Sequence, residues 1–315
     1  MKDVNDVSPS SLKHIIGQRN VVRSVEVALD YAFNEGVAFP SAMLLGPPGT
    51  GKSATAHVIQ SEMAVSKFQE VLGQTVTNTA DVNALLLAAK DKSVVHIDEV
   101  HELSPHLQTT LYLALDKKTV YVGGNGRAPQ AIPIADFTLL ISTTDEFKIL
   151  QPLRDRMRLA LRFEHLGNDE LCQVIFQRSK ALGWDVHEAA LPLIAQRSKG
   201  TPRLALRLLQ SCRRVAVAKG FKTIDSRHLA AACELDGIDE LGLDAAEQRY
   251  LEILSEGPTR LNVIASRLGL PTRTVSEVTE SFLIRAELIG KDKNGMRELM
   301  PKGRDHVLAS RKDTV

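Results

Sequence analysis

The sequence predicts an α/β protein. A parallel-sheet domain over residues 1–165 is followed by an all-helical domain over 166–240 and a winged helix over 241–315. Three observations carry this. Short apolar, β-branched runs alternate with helical patterns through the first part, as in a doubly wound sheet. A glycine-rich loop, Gly46–Ser53, sits where one such run hands over to a helix. The spacing then becomes purely helical near residue 166, and after Leu241 gives three helices and a hairpin. At 315 residues, two or three domains are expected, and 43% apolar content is enough to give each a core.

The loop Gly46-Pro47-Pro48-Gly49-Thr50-Gly51-Lys52-Ser53 fits G-x-x-x-x-G-K-[ST], the phosphate-binding spacing of NTPases. Ala42–Leu45 is the strand before it, and Ala54–Met63, free of Pro and Gly, the helix after it. Backbone N–H groups at such a helix start lack internal partners and point at an anion. Gly46, Gly49 and Gly51 let the backbone curl around phosphate. Lys52 supplies charge for the β/γ-phosphates, and Ser53 a hydroxyl for Mg²⁺. Gly46 to Ala54 are therefore the candidate nucleotide-binding residues.

A strand over about Phe68–Val76 and a helix over Asp81–Lys90 follow, the helix with Val82, Leu85, Leu86 and Ala89 on one face. Val94–Ile97 is a β-branched strand ending in Asp98-Glu99. Asp98 is expected in the metal shell, and Glu99 to orient the attacking water. His96 is read as a packed core histidine and His101 as a loop residue. Ser104-Pro105 starts a helix by N-cap and N1 chemistry. A hairpin follows, Thr119–Val122 returning through Gly123–Gly126 to Ala131–Ile134, with Pro133 confining the return arm to an edge. Ile132 and Ile134 either pack on their own domain or form a protein-contact surface. Phe137–Thr144 is another buried strand, which places Thr143 at its carboxyl end near the γ-phosphate or the water.

The helical domain opens at Asn168 as N-cap, with Asp169-Glu170 in the first turn, and its first helix closes at Leu182-Gly183. Leu191–Ala195, Leu204–Ala218 and Ser226–Cys233 mark three more helices, and Thr201-Pro202 puts Arg203 in a first turn. In the last domain, helices are expected over Asp244–Ser255 and Arg260–Leu268 and from Thr272. Asn294-Gly295 between Leu288-Ile289 and Met296–Met300 signals a hairpin. Helix–turn–helix plus hairpin is a winged helix, a common DNA-binding module.

Charge is balanced, 39 basic against 38 acidic residues, so any basic surface is local. Between Lys291 and Lys312 there are seven basic residues against three acidic, and Lys291, Lys293 and Arg297 are the candidate phosphate contacts. Acids on the presumed recognition helix, Glu277 and Glu280, argue against base-specific readout. Only 4% aromatics argues against a base-stacking surface. Cys172, Cys212 and Cys233 lack metal-ligand spacing and read as reduced thiols. No apolar leader or long apolar run occurs, so a cytoplasmic protein without membrane contact is expected.

The order of motifs resembles an AAA+ ATPase and, more narrowly, the RuvB family of Holliday-junction branch-migration motors. Beyond the loop, the likeness rests on Ile97–Pro105, Phe137–Thr144, Pro152-Leu153-Arg154-Asp155-Arg156, Gly200–Leu209 and Leu241–Asp244. The resemblance implies an ATP- and Mg²⁺-dependent motor in a homo-hexameric ring on duplex or four-way-junction DNA. It implies Thr143 as sensor 1, Arg156 (or Arg154) as the finger reaching the neighbouring subunit's γ-phosphate, and Arg203 as the sensor-2 arginine of the lid. It also implies docking of the 119–134 hairpin on a RuvA-like junction-binding protein. The chain departs from the family at Ser8, where an Arg precedes Pro, at Ile15 for a Tyr, at Asp145 for an Arg, and in the wing tip Lys291–Arg297. Another AAA+ role, clamp-loader-like or protein-remodelling, and a nucleotide-gated scaffold remain as alternatives.

Overall fold

The computed structural model describes residues 3–64, 67–123 and 129–312. They form two compact units: residues 1–183 with 200–206, and residues 184–199 with 207–315.

In the first unit, α1 (Arg19–Glu35) ends at Gly36 in the left-handed conformation. β1 (Ala42–Leu45) is buried throughout and leads through the loop into α2 (Lys52–Glu62). β2 (Phe68–Leu72) is shorter than expected, because residues 73–75 close into a 3₁₀ turn. α3 (Thr79–Leu87) starts earlier than expected. Asn78 and Asp81 form a capping box, so a cap lies where the apolar pattern alone places the first turn. β3 (Val94–Asp98) is followed by α4 (Pro105–Lys117), started by the Ser104 hydroxyl accepting from Leu107 N. β4 (Thr119–Val122) and β5 (Gln130–Pro133) pair antiparallel; most of the predicted turn, from Gly124, lies outside the described residues. β6 (Thr138–Thr143), α5 (Gln151–Arg154), β7 (Leu159–Arg162) and α6 (Asn168–Leu182) complete the unit with the start of α8. β7 is short and alternately exposed, and no sequence pattern announced it.

Five strands form one parallel sheet in the order β2-β3-β6-β1-β7. Because successive strand residues face opposite ways, each strand feeds two cores. Met43, Leu45, Val95, Ile97, Leu139 and Ile141 pack with α3 and α4 residues such as Leu86, Leu107 and Leu111. Ala42, Leu44, Val94, Leu140 and Leu161 pack with Val25 and Leu29 of α1 and Ala56 and Ile59 of α2. With β3 and β6 buried on both faces, polar side chains there must find partners. Ile132 and Ile134 lean partly buried on the first of these cores. Of the two expectations for these isoleucines, packing is thus met in part, and the large apolar side chains exposed on the described part of the hairpin are Tyr121 and Val122.

In the second unit, β8 (Asp185–Val186), α7 (Ala190–Gln196), α8 (Pro202–Ala218, from Arg207 on), β9 (Thr223–Ile224) and α9 (Ser226–Asp236) form the helical part. Asp225 caps α9 through its carboxylate, which Arg227 and the amides of Arg227 and His228 hold down to about 2. Next come α10 (Ala245–Ser255), α11 (Leu261–Leu268), α12 (Thr272–Thr274), α13 (Glu280–Arg285), β10 (Ile289–Lys291), β11 (Arg297–Leu299) and α14 (Pro301–Lys312). The single helix expected from Thr272 is interrupted: residues Val275–Thr279 are π-helical. Leu243, Tyr250, Leu254, Ile264, Val275 and Leu283 form the core of this winged helix. Lys199 pairs with buried Glu247, whose carboxyl is raised by burial against the pull of that lysine. The thiols of Cys212 and Cys233 are buried and that of Cys172 is half-buried; burial pushes Cys212 up to about 12. Among the described residues no helix is long and apolar enough to cross a membrane.

Candidate functional site

The predicted nucleotide-site residues Gly46–Ala54, Asp98, Glu99, Thr143 and Arg203 gather at the carboxyl end of the first unit's parallel sheet. Gly46 N donates to Thr143 O, tying the loop's start to the end of β6. Gly46 has φ 145°, and a Cβ there would stand 2.4 Å from Phe163 O, so only glycine fits. The Thr50 hydroxyl donates to Pro47 O at 2.8 Å and fixes the loop's curl. Lys52 Nζ donates to Gly46 O at 2.8 Å and Pro47 O at 3.0 Å, so the cation is held inside the loop. Burial lowers the Lys52 ammonium's pKa, Glu99 and Asp98 oppose this, and Arg203 adds to it. Ala54 follows in the first turn of α2. Arg203 lies against the loop as well: its amide donates to Gly49 O, and its Cβ is 2.8 Å from where a Cβ on Gly49 would stand.

Asp98 ends β3 with its carboxylate divided. Oδ2 accepts from Ser53 Oγ at 3.0 Å, while Oδ1 accepts from Ser142 Oγ at 2.5 Å and from Glu99 N at 3.0 Å. Burial works to raise this carboxyl, but the Ser142 hydrogen bond, the nearby His96, Ser53 and the Glu99 amide hold it below the ordinary carboxylate value. Glu99 has φ 50°, an uncommon conformation for a side chain of this size and of the kind that clusters at functional sites. Its Oε2 accepts from Thr144 N at 3.1 Å and Thr144 Oγ1 at 3.2 Å, and His101 Nδ1 lies 3.1 Å away. Beneath it, a Cβ on Gly73 would meet Glu99 O at 2.4 Å.

Four residues enter this cluster that the sequence reading did not place there: Thr144, His101, His96 and Ser142. Thr143 is buried, with its hydroxyl on His101 Nδ1 (2.9 Å) and the Asp145 amide (2.9 Å); it is Thr144 that reaches Glu99. His101, read as a loop residue, is only 10% exposed and bridges Thr143, Glu99 and Glu102, because the 3₁₀ turn after β3 folds it back over the strand ends. His96 is indeed buried, yet its Nδ1 lies 2.8 Å from Glu70 Oε1 and its Nε2 2.8 Å from Ser142 Oγ. A lone polar residue in an apolar strand was the only signal for it. Leaving such a ring unpartnered would cost about 1–3 kcal/mol.

Arg156 is engaged elsewhere. It grips Asp116 with Nε (2.9 Å) and a terminal nitrogen (2.5 Å), donates to Pro152 O, and lies 5.3 Å from the Tyr112 ring centre. Arg154 hydrogen-bonds Gln151 and approaches Glu146. A cleft of about 570 Å³ is lined by Lys13, Ile15, Ile16, Gly17, Arg23 and Gln173, among others. Gln18, next in the chain to Gly17 of this lining, exchanges hydrogen bonds with the backbone of Glu164.

The donor set fits a nucleoside triphosphate with a hard divalent cation. The curled loop with its lysine matches phosphate, and hydroxyl and carboxylate oxygens are what Mg²⁺ takes.

On the winged helix the three predicted phosphate contacts separate. Lys293 is exposed, and Lys291 is 50% exposed with Nζ 3.9 Å from Glu280 Oε2. Arg297 is turned inward at 12% exposure, its Nε 2.8 Å from Glu280 Oε1. Glu280 is buried and also accepts from Tyr250 at 2.6 Å. Contrary to the expectation, then, Glu280 is no surface acid of the recognition helix and Arg297 no free cation. The π-helical turn before Glu280 rotates it into the core, where its charge requires a partner.

Comparison with known proteins matches the chain in three consecutive parts. These are the Holliday junction DNA helicase RuvB P-loop domain at residues 7–163, the RuvB AAA lid domain at 167–239, and the RuvB C-terminal winged helix domain at 240–308. A Holliday junction branch migration complex subunit RuvB from Koribacter versatilis is 34% identical, over 91% of this chain and 81% of that protein. The subunit of the same name from Kosmotoga olearia is also 34% identical, over 91% and 86%. The solved Thermotoga maritima RuvB Holliday junction branch migration motor is 30% identical and superposes with a TM-score of 0.81, covering 95% of this chain and 97% of that one. A proline-to-glycine mutant of the same Thermotoga protein reaches 0.84. On sequence and architecture together, the chain belongs to the RuvB family, with a P-loop ATPase domain, a helical lid and a C-terminal winged helix.

Proposed function

We propose that this chain is an ATP-hydrolysing DNA motor that drives branch migration at four-way junctions in recombination and repair. The observation that carries the proposal is the convergence of the Gly46–Ala54 loop, Asp98, Glu99, Thr144 and Arg203 at the carboxyl end of the parallel sheet, in a chain that also holds a winged helix. The loop amides and Lys52 bind the β- and γ-phosphates, and the base enters the cleft beside Ile15. Mg²⁺, held by Ser53 and Asp98, would neutralise phosphate charge. Glu99, aimed by Thr144 and His101, orients the attacking water and accepts its proton. Thr143 supports this through His101, and Thr144 makes the direct contact.

Arg156 is held by Asp116 and Pro152 and makes no bond to its own loop among those described; from the family resemblance we infer a homo-hexameric ring in which it serves a neighbouring subunit's γ-phosphate. In that ring the Asp116 carboxylate presents the guanidinium. Lys291 and Lys293 track DNA phosphates without reading sequence. The β4–β5 hairpin meets a RuvA-like partner through Tyr121 and Val122 rather than through Ile132 and Ile134. The domain limits we propose are 1–165, 166–240 and 241–315.

The test is ATP hydrolysis without DNA, with linear duplex and with a synthetic four-way junction, using Lys52→Ala as the blank. Stimulation greatest on the junction supports the motor. Hydrolysis indifferent to every DNA removes it in favour of a protein-remodelling ATPase.

A further inference from the structure

Strand register places a polar row across one face of an otherwise apolar sheet. Glu70 of β2 stands beside His96 of β3. Two residues on, and on the same face, His96 is followed by Asp98; Leu140, the β6 neighbour of His96, is followed by Ser142. His96 and Ser142 are fully buried. The contacts run without a break: Glu70 Oε1 to His96 Nδ1 at 2.8 Å, His96 Nε2 to Ser142 Oγ at 2.8 Å, Ser142 Oγ to Asp98 Oδ1 at 2.5 Å, and Ser53 Oγ to Asp98 Oδ2 at 3.0 Å. His57 Nε2 lies 3.2 Å from the other Glu70 oxygen and closes the outer end.

Proton accounting gives the row a direction. Ser142 has one proton, and the carboxylate of Asp98 takes it. Nε2 of His96 must then be the donor to Ser142 Oγ. Nδ1 lies against Glu70 at the other side, so the ring is held at both ends. The hydroxyl of Ser142 is thereby locked in the one rotamer that aims at Oδ1. With Oδ1 also accepting the Glu99 amide, the remaining capacity of Asp98 is at Oδ2, on the side of Ser53 and the phosphate loop.

We propose that Ser142 and His96 are positioning residues that fix which oxygen of Asp98 faces the divalent cation. The proposal rests on the reading of Asp98 as a metal-shell residue. Outer residues that orient a carboxylate ligand in this way typically contribute about 10–100-fold in metal affinity.

The test uses the full chain with ATPγS and Mn²⁺, the bound cation being counted by the loss of the free Mn²⁺ paramagnetic resonance signal. Ser142→Ala is expected to weaken Mn²⁺ binding about tenfold, and ATPγS affinity in EDTA should stay within about twofold of the wild type. Ser142→Thr, which keeps the hydroxyl, restores it. His96→Phe shifts it in the same direction, and the double variant is no worse than Ser142→Ala alone, since both break one row. If His96→Phe does not fold, by circular dichroism, Ser142→Ala with its threonine rescue decides. Unchanged Mn²⁺ affinity in folded Ser142→Ala overturns the positioning role alone. A wild type that binds ATPγS but takes up no Mn²⁺ overturns the metal-shell reading of Asp98, and this proposal with it.

Discussion

Arg156 and Glu70 each take their character from the side chain that holds them, Asp116 and His96. Arg156 is hydrogen-bonded within its own chain, yet the family resemblance sends it to a neighbour's phosphate. Arg156→Ala is expected to lower ATP turnover about 10³-fold while nucleotide binding by the isolated chain persists, as measured with a fluorescent ATP analogue. Glu70 lies below its ordinary value chiefly because of the His96 hydrogen bond, with burial opposing. A depressed carboxyl stabilises the fold fully above its unfolded pKa, about 4.3, and loses that contribution as pH falls through the folded value. Glu70→Gln should therefore lower the melting temperature more at pH 7 than at pH 3. An equal loss at both would show that packing, not charge, is at stake. At this scale the loop residues and Asp98-Glu99 were legible because local spacing specifies them. Thr144, His101 and Ser142 were not: which of two adjacent threonines meets a glutamate depends on strand twist and on a 3₁₀ turn, and no spacing rule encodes either.

Among the elements, the wing carries the inward ion pair of Glu280 and Arg297. Its strands follow from the Asn294-Gly295 signal, but the fate of its charges depends on the π-helical turn at Val275–Thr279. That turn sends Glu280 inward and takes Arg297 with it. No hydrophobic periodicity distinguishes a π turn from an α turn over five residues, so both were assigned to the surface in the sequence. Two outcomes separate the basic residues. Lys291→Ala with Lys293→Ala should weaken DNA binding and flatten the salt dependence by about 0.9 in slope for each phosphate no longer neutralised, in titrations from 50 to 200 mM salt. Arg297→Ala should instead strand the Glu280 charge and cost about 3 kcal/mol in the stability of the winged helix, read by denaturant unfolding. If the Arg297 variant keeps full stability and loses DNA affinity like the lysines, the inward pair does not form in solution. Helix ends shifted for a simpler reason: the capping box at Asn78 moves the start of α3 ahead of its apolar stripe.

For the whole molecule, the division into two compact units predicts two thermal transitions. ATP at one hundred times its Kd should stabilise the one that contains the Gly46–Ala54 loop by about 2.7 kcal/mol and leave the other in place. A single transition that moves as one would mean the units unfold together. The three-part architecture itself was legible from alternation and motif order, whereas the assignment of residues 200–206 to the first unit was not, because it arises from backbone hydrogen bonds to Gly49 and Leu166. The cysteines add something practical. Cys172 lies in the first unit, Cys212 and Cys233 in the second, and the latter two are buried with raised thiols. The chain thus carries native chemical clocks. In a timed alkylation experiment followed by peptide mass spectrometry, the rate at which Cys212 and Cys233 are capped reports the opening of the second unit with no label engineered in, and half-buried Cys172, which needs no such opening, serves as the reference.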